Sequence, residues 1–215
     1  LGEIPKHIFP VGCPSIDALN LEKLLEKKYI KKKFNINVDN FFLLLIQHPV
    51  TSELRNSAKQ IKKTLNAVKK SKIQHLIVYP NNDAGSKFIL KEIKKAKLNH
   101  ISTLNLSEYK TLLSGKMVLL GNSSSGIHEA SSFKVPVINI GSRQEGREKP
   151  RNIINVNHNT SEILKAIKKV TNKVFLNKIK NIKNPYGDGK SSNRIINIIK
   201  RLNLRDFDTQ KKLTY

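Results

Sequence analysis

Residues 117–126 are MVLLGNSSSG, and a stretch of helical period follows them. Four apolar residues end at a glycine, and an asparagine and three serines separate that glycine from the next. This order is typical of a buried parallel strand that leads into a tight turn and then a helix. Such a turn offers free backbone N–H groups, serine hydroxyls and the positive end of a helix dipole to an anion. Capping of the helix is the alternative interpretation, but three serines exceed what a cap needs, so we expect an anion such as a phosphate to bind here.

Short apolar runs alternate with longer charged stretches of helical period on both sides of this segment. Such alternation predicts β–α–β units in a parallel sheet. The predicted strands are residues 41–47, 75–79, 117–121, 135–140 and 152–156, with a weaker one at 100–104. The predicted helices are residues 19–33, 53–70, 84–96, 107–113, 125–133, 161–170, 174–180 and 191–202. The sequence therefore predicts an α/β fold, a Rossmann-like parallel sheet with helices on both faces.

The 215-residue chain carries a formal net charge of +24. Nucleic-acid binding is one interpretation, because basic proteins gain affinity for nucleic acids by releasing phosphate counterions. The other interpretation is a lysine-rich composition whose lysines solvate helix faces. The lysines are spread along most of the chain, arginine is scarce, and aromatic residues do not interleave with basic ones. We therefore expect no nucleic-acid partner.

Three further features bear on the cellular setting. No apolar run reaches the roughly 18–20 residues of a membrane span, and the first residues do not resemble a secretory signal, so we expect no membrane association. Cys13 is the only cysteine and cannot form an internal disulfide, which fits a reducing cytoplasm. The chain lacks an initiator methionine, which suggests a start partway through a longer protein.

Polar loops follow four of the predicted strands. They are QHPVTSE at 47–53, YPNNDAGS at 79–86, GNSSSG at 121–126 and GSRQEGRE at 141–148. Because the carboxyl ends of parallel strands share one sheet edge, these loops predict a ligand site there. Glu129, on the helix after the serines, is placed to hold ribose hydroxyls, although a solvated helix residue is the simpler interpretation. The six histidines lack metal-ligand spacing, so the sequence predicts no metal site and no cofactor.

Six stretches, in order along almost the whole chain, resemble the UDP-N-acetylglucosamine 2-epimerase family. They are VGCPSID at 11–17, QHPVT at 47–51, PNNDAGS at 80–86, GNSSSG at 121–126, GSRQEGRE at 141–148 and NPYGDG at 184–189. The His-Pro-Val-Thr sequence after the first strand resembles the hydrolysing branch, the type that serves sialic and legionaminic acid biosynthesis.

The resemblance implies a domain organisation. The family has two Rossmann-like domains that face each other across a cleft, as in glycosyltransferases of the B type. On this basis residues 1–20 are the end of the first domain and a linker, residues 21–205 are a UDP-binding C-terminal domain, and residues 206–215 are a frayed tail. The expected partners are a UDP-sugar substrate, the missing N-terminal domain and, at full length, further copies of the same chain.

The resemblance also implies a set of substrate contacts and a reaction. Ser123 and Ser124 would contact the diphosphate, Glu129 the ribose, and four residues the rest of the nucleotide-sugar, namely His48, Asn81, Asp83 and Arg143. The reaction is loss of UDP from C1 with proton removal at C2, followed by addition of water to a 2-acetamidoglucal. Of these residues, His48 is the catalytic candidate, because most of the family's acid and base carboxylates lie in the first domain.

Some positions depart from the family or have alternatives. Thr103 stands where the animal enzyme has a histidine that contacts UDP, and His128 stands where arginine is common. Lys87, Lys91 and Lys94 fall where that enzyme has an inhibitory site, but a solvated lysine face is the preferred interpretation. Two alternative functions remain, a non-catalytic UDP-sugar-binding fragment and a glycosyltransferase nucleotide-sugar domain.

Overall fold

The computed structural model of the chain describes residues 5–203, and these contain a six-stranded parallel sheet. The strands are β1 Phe42–Ile46, β2 Gln74–Val78, β3 His100–Ile101, β4 Met117–Gly121, β5 Val137–Ile140 and β6 Ile153–Val156. The helices are α1 Pro14–Leu21, α2 Lys27–Phe34, α3 Ser57–Ser71, α4 Ser86–Ala96, α5 Leu106–Leu113, α6 Ser125–His128, α7 Thr160–Val170, α8 Lys173–Ile179 and α9 Ser191–Arg201. Short 3-10 segments lie at Pro5–His7 and Thr51–Asn56. The predicted α/β class is confirmed.

The strand order places one point of the sheet in a special position. The order is β3-β2-β1-β4-β5-β6, and every neighbouring pair is parallel. The chain therefore proceeds outward from β1 in one direction and from β4 in the other. Ligands of open α/β sheets bind outside the carboxyl ends of the strands where the order reverses in this way. The loops after β1 and β4 flank that crevice.

Helices cover both faces of the sheet. On one face, Leu43 of β1 and Leu120 of β4 belong to a buried cluster that includes residues of α3, α4 and α7. Side chains alternate between the faces of a strand, so Leu119 points to the opposite face. There the backbone of Gly126, in α6, lies directly against Leu119 and Val137. Both faces are therefore buried, as expected for near-continuous apolar strands.

The predicted helix at 19–33 is wrong, because the structure contains two shorter helices, α1 and α2, in its place. The backbone of Glu26, just before α2, is extended (φ −61°, ψ 137°). The N–H of Leu25 donates to Thr111 Oγ1 at 2.9 Å. This tertiary bond takes up an N–H group that a continuous helix would have used internally.

The helix predicted at 125–133 is also too long, because α6 ends at His128. The chain continues to Lys134 in successive turns, in which Ser132 N–H donates to the Glu129 carbonyl and Lys134 N–H to the Ser131 carbonyl. Lys134 is left-handed (φ +57°), which ends the turns before β5. The dipole behind the serine turn is therefore that of a single short helix.

Two other boundaries differ from the prediction. The helix predicted at 53–70 begins as the 3-10 segment Thr51–Asn56, inside which Glu53 has non-helical dihedrals (φ −119°, ψ 23°). The Glu53 carboxylate accepts a hydrogen bond from Ser142 Oγ at 2.7 Å, so a contact with another loop competes with regular helix formation. The weak strand predicted at 100–104 shortens to β3, His100–Ile101.

The described residues divide into two compact units, 5–21 with 186–203 and 22–185. In the first, the Asp17 carboxylate accepts hydrogen bonds from the N–H groups of Ser191 (3.1 Å) and Ser192 (2.7 Å) at the start of α9. The second contains the whole sheet. The predicted domain at 21–205 includes α9, and this predicted division stays a prediction. The predicted tail, residues 206–215, lies outside the described residues. Within 5–203 no helix is both long and apolar enough to cross a membrane.

Candidate functional site

The turn after β4 is open toward the carboxyl edge of the sheet. Gly121 has φ +124°, and a Cβ at this position would collide with the Ile46 carbonyl of β1, so only glycine fits. Ser123 Oγ and Ser125 Oγ form a hydrogen bond of 3.0 Å. Within residues 5–203, Ser124 Oγ and the backbone N–H groups of Ser123 and Ser124 have no protein acceptor or donor. The turn thus keeps three polar groups for a ligand.

His48 follows β1 and is oriented by Asn81 from the loop after β2. Its Nδ1 lies 3.1 Å from both the backbone N and the side-chain Oδ1 of Asn81. Asn81 Nδ2 donates to Asp83 Oδ2 at 2.6 Å, which fixes the orientation of the amide. The backbone N–H can donate to a neutral Nδ1, and Oδ1 can accept from a protonated one. Either way Asn81 occupies Nδ1, so Nε2 is the nitrogen available to a ligand.

The protonation of His48 follows from its surroundings. Partial burial lowers the pKa of His48, and the nearby Arg143 guanidinium lowers it further, while Asn81 and Asp83 act in the opposite direction. A base whose pKa is lowered is predominantly neutral at neutral pH. His48 can therefore accept a proton or a hydrogen bond under ordinary conditions.

The loop after β5 packs against Asn122, the residue that precedes the serines. Arg143 Nη1 donates to the Asn122 carbonyl at 3.2 Å, and its Nη2 lies 3.9 Å from Asp83 Oδ2. Gln144 is 1% exposed and donates from Nε2 to the same carbonyl at 2.8 Å. Ser142 bonds to Glu53 in the loop after β1. The side chains of residues 142–144 therefore join the loop after β5 to the loops after β1, β2 and β4.

Glu129 lies just beyond α6, where its carboxylate interacts electrostatically with Tyr109 of α5. Burial and this carboxylate together raise the pKa of Tyr109, so the phenol stays protonated. His128, the last residue of α6, has Nε2 3.2 Å from Arg147 Nη1. Burial and Arg147 both lower the pKa of His128. A neutral His128 accepts this bond from the guanidinium.

The structure brings most of the predicted residues to one edge. His48, Asn81, Asp83 and Arg143 form a connected set, and Ser123 and Ser124 follow Asn122, which that set contacts. Glu129 lies further along, past α6. Thr103 is exposed after β3, and Lys87, Lys91 and Lys94 are exposed along α4. Among the described residues, no contact connects these four side chains to the set around His48.

Sequence reasoning gave no role to Asn122, Gln144 or Tyr109. Asn122 and Gln144 are inside the quoted motifs. What marks them in the structure is that both amide side chains are buried within polar loops. That burial depends on contacts between loops far apart in the chain. Tyr109 carries no motif at all.

A cavity of about 550 Å³ lies beside the site, at the carboxyl ends of β5 and β6. Its lining includes Glu53, Glu145, Glu162, Asn157, His158 and Lys149. Three carboxylates against one lysine disfavour a diphosphate, so the serine turn and not this cavity fits an anion. Among the residues from 5 to 203, no group of three or more His, Cys, Asp or Glu side chains could hold a metal ion.

Comparison with known proteins now decides the family. The model of the UDP-N-acetylglucosamine 2-epimerase family matches residues 1–200. The chain belongs to this family. The predicted family membership is therefore confirmed.

Two relatives show how much of a family member the chain represents. It is 34% identical over 209 residues to the UDP-N,N'-diacetylbacillosamine 2-epimerase (hydrolyzing) of Legionella pneumophila, covering 95% of this chain and 54% of the relative. It is 35% identical over 184 residues to the GDP/UDP-N,N'-diacetylbacillosamine 2-epimerase (hydrolyzing) of Campylobacter jejuni, covering 81% of this chain and 47% of the relative. The chain spans about half the length of these curated relatives.

Solved structures agree on the fold. The UDP-GlcNAc 2-epimerase of Neisseria meningitidis, bound to UDP-GlcNAc, aligns with a TM-score of 0.72 at 22% identity, covering 89% of this chain and 55% of that one. A sucrose-phosphate synthase of Thermosynechococcus elongatus aligns with a TM-score of 0.52 at 12% identity, covering 88% of this chain and 51% of that one. At these identities the likeness concerns the fold alone.

Proposed function

We propose that this chain is the UDP-binding portion of a hydrolysing UDP-2-acetamido-sugar 2-epimerase. The observation that carries the proposal is the open serine turn after β4, flanked by His48 and Arg143 at the point where the strand order reverses. This is the position at which open α/β sheets bind nucleotides.

The chemistry of the turn matches a diphosphate. The free N–H groups of Ser123 and Ser124 and the Ser124 hydroxyl are donors, and hydrogen bonds to charged oxygens are stronger than neutral ones. Arg143 supplies a fixed positive charge beside the turn. The formal net charge of +24 adds a long-range attraction for anionic ligands.

The remaining contacts follow the geometry of the site. Glu129, one short helix beyond the serines, is the proposed ribose ligand, because a carboxylate accepts from two neighbouring hydroxyls. His48, Asn81 and Asp83 surround the sugar-phosphate end.

The proposed reaction has two stages. A base removes the proton at C2 of the sugar while the C1–oxygen bond breaks and UDP leaves, which gives a 2-acetamidoglucal. Water then adds its hydroxyl at C1, and a proton returns to C2 on the opposite face, which gives a manno-configured sugar. His48 is neutral at neutral pH and keeps Nε2 for the substrate, so it can take part as a base or as a phosphate ligand.

The hydrolysing type and the substrate class rest on the relatives. Both relatives described above are named as hydrolysing enzymes for diacetylated sugars. The His-Pro-Val-Thr sequence at residues 48–51 resembles the hydrolysing branch of the family. We propose UDP-N-acetylglucosamine or a UDP-2,4-diacetamido sugar as the substrate. Cytoplasmic location and homo-oligomer formation stay predictions.

A second candidate function is a UDP-binding module without turnover. It is favoured by the length of the chain, which covers 54% of the Legionella relative. We propose that the other acid and base groups come from the other half of the full-length enzyme, so that the isolated chain binds UDP and converts nothing.

The test uses the full-length enzyme with UDP-N-acetylglucosamine and with a UDP-2,4-diacetamido-6-deoxy sugar. We expect UDP release from at least one of them, and NMR of the sugar product should show inverted C2 with solvent deuterium incorporated there. No UDP release from either substrate would refute the proposal. Transfer of the sugar to an acceptor in place of water would identify a glycosyltransferase.

A further inference from the structure

Asn122 is 1% exposed, and its backbone and side-chain polar groups connect the loops around the serine turn. Its N–H donates to the Ile46 carbonyl at 3.1 Å. Its side-chain Oδ1 accepts from the His48 N–H at 2.7 Å, and its Nδ2 donates to the His48 carbonyl at 2.9 Å. Its carbonyl accepts from Arg143 and Gln144 at 3.2 and 2.8 Å.

These bonds extend the β1–β4 pairing beyond the ends of the strands. The last regular pair is Ile46 with Gly121. One step further, the Asn122 side chain replaces a strand backbone and bonds to both polar groups of the His48 backbone. The His48 position is therefore fixed relative to the serine turn by two bonds in addition to the strand ladder.

The backbone carbonyl of Asn122 fixes the position of the loop after β5 relative to the serine turn. Both Arg143 and Gln144 donate to it, so the guanidinium lies beside the turn and close enough to His48 to lower its pKa. Only an amide of this length offers a donor and an acceptor to one backbone unit, because aspartate lacks the donor and serine is too short to reach both groups.

We propose that Asn122 is a positioning residue whose side chain sets His48 against the phosphate-binding turn, while its backbone carbonyl receives Arg143. It does not contact the substrate. The ligand in this statement rests on the proposed function, whereas the effect on His48 can be measured in the absence of any ligand.

Asn152 provides a matched control. It is 0% exposed, and its Nδ2 donates to the Val135 carbonyl at 2.7 Å, just before β6 at the amino edge of the sheet. Loss of its amide removes a buried hydrogen bond far from His48. A purely structural role for Asn122 predicts that Asn122→Ala and Asn152→Ala behave alike.

The experiment follows the His48 imidazole by NMR pH titration of the full 215-residue chain without ligand. In Asn122→Ala the backbone carbonyl that accepts from Arg143 remains, but both side-chain bonds to the His48 backbone are lost. We therefore expect the pKa of His48 to rise toward its ordinary value, because its ring becomes less buried and moves relative to Arg143 and Asp83, the two charged groups that face it. Asn152→Ala should titrate like the parent chain. Asn122→Ser, which keeps one hydrogen-bonding group, reports the same shift if the alanine variant does not fold.

Calorimetry with UDP on the same proteins separates the two proposals. We expect the affinity to fall about 10-fold in Asn122→Ala relative to Asn152→Ala, the effect of displacing His48, a proposed phosphate ligand, from the turn. An unchanged His48 titration in the Asn122 variants would overturn the positioning role, whatever the affinity. If the parent chain bound no UDP, the proposed function would fail while the titration still decided the role of Asn122.

Discussion

At the residue scale, three histidines share one physical setting. Burial is the largest cause that lowers the pKa of His48, His128 and His158, and nearby Arg143, Arg147 and Lys63 respectively add to it. In each case the folded protein favours the neutral ring. An unfolded chain would protonate these rings near the usual pKa of about 6.5.

The stability of the fold should therefore depend on pH. Because the folded pKa values are lowered, the unfolded chain binds more protons below about pH 6.5, and stability present above that pH is lost as the pH falls through it. Carboxylates with lowered pKa, such as Glu53 and Glu108, begin to reduce the stability of the fold only as the pH falls below about 4.5. We expect urea midpoints to decrease between about pH 7.5 and 5.5.

His158→Gln serves as the control for this pH effect. It removes one titrating ring, so its midpoint should decrease less over the same interval than that of the parent chain. A midpoint that is constant or rises as the pH falls would contradict the assignment of these histidines.

At the element scale, the serine turn depends on a backbone geometry that only glycine permits. Gly121 ends β4 with φ +124°, in contact with the carbonyl of Ile46 on the neighbouring strand. Gly146 also has a positive φ, +73°, but nothing lies within 4 Å of the position of its Cβ. The two glycines therefore differ in steric contact and in φ, because +124° lies further from the left-handed region open to other residues than +73° does.

This contrast predicts unequal effects of alanine. Gly146→Ala should cost about 1–2 kcal/mol of unfolding free energy, the strain of a left-handed residue. Gly121→Ala adds a collision between two central strands, so it should cost clearly more and also reduce UDP binding. Chemical denaturation of both variants measures the loss of unfolding free energy. Equal destabilisation by both substitutions would show that the close approach of β1 and β4 does not matter.

The sequence predicted the strands better than the helices for a physical reason. Apolar runs such as residues 117–121 are set by burial on both faces, which the composition of the run reveals. The break between α1 and α2 depends on Thr111, far along the chain, and no local pattern near residues 22–26 encodes it. Likewise, the sequence predicted that the polar loops meet at one edge, because parallel strands share that edge.

The contacts inside the site could not be predicted in the same way. The bonds between Asn122 and His48 require β1 and β4 to be neighbours, and this adjacency is a property of the strand order. The burial of Gln144 depends on how the loop after β5 packs on the turn. Ser123, Ser124 and Arg143 are candidates because of their motifs, whereas a residue proposed to act through others, such as Asn122, carries no signal of its own.

At the scale of the whole molecule, charge and chain length set what the protein can do. A net charge of +24 favours anionic ligands at a distance, and we propose that the few donors of the serine turn select among them. The chain spans about half of the length of its relatives, and we propose that it binds UDP without turnover. Binding of UDP is the property that the chain alone should have.

The most direct measurement is calorimetry of UDP with the parent chain, the Ser123→Ala/Ser124→Ala variant and Ser114→Ala. Ser114 is an exposed serine at the end of α5, so its variant controls for loss of a hydroxyl elsewhere. The parent chain and Ser114→Ala should bind alike, and the double variant should bind more weakly by about 0.5–3 kcal/mol, because the backbone N–H groups remain. Equal affinities of the double variant and the control would contradict diphosphate binding at this turn.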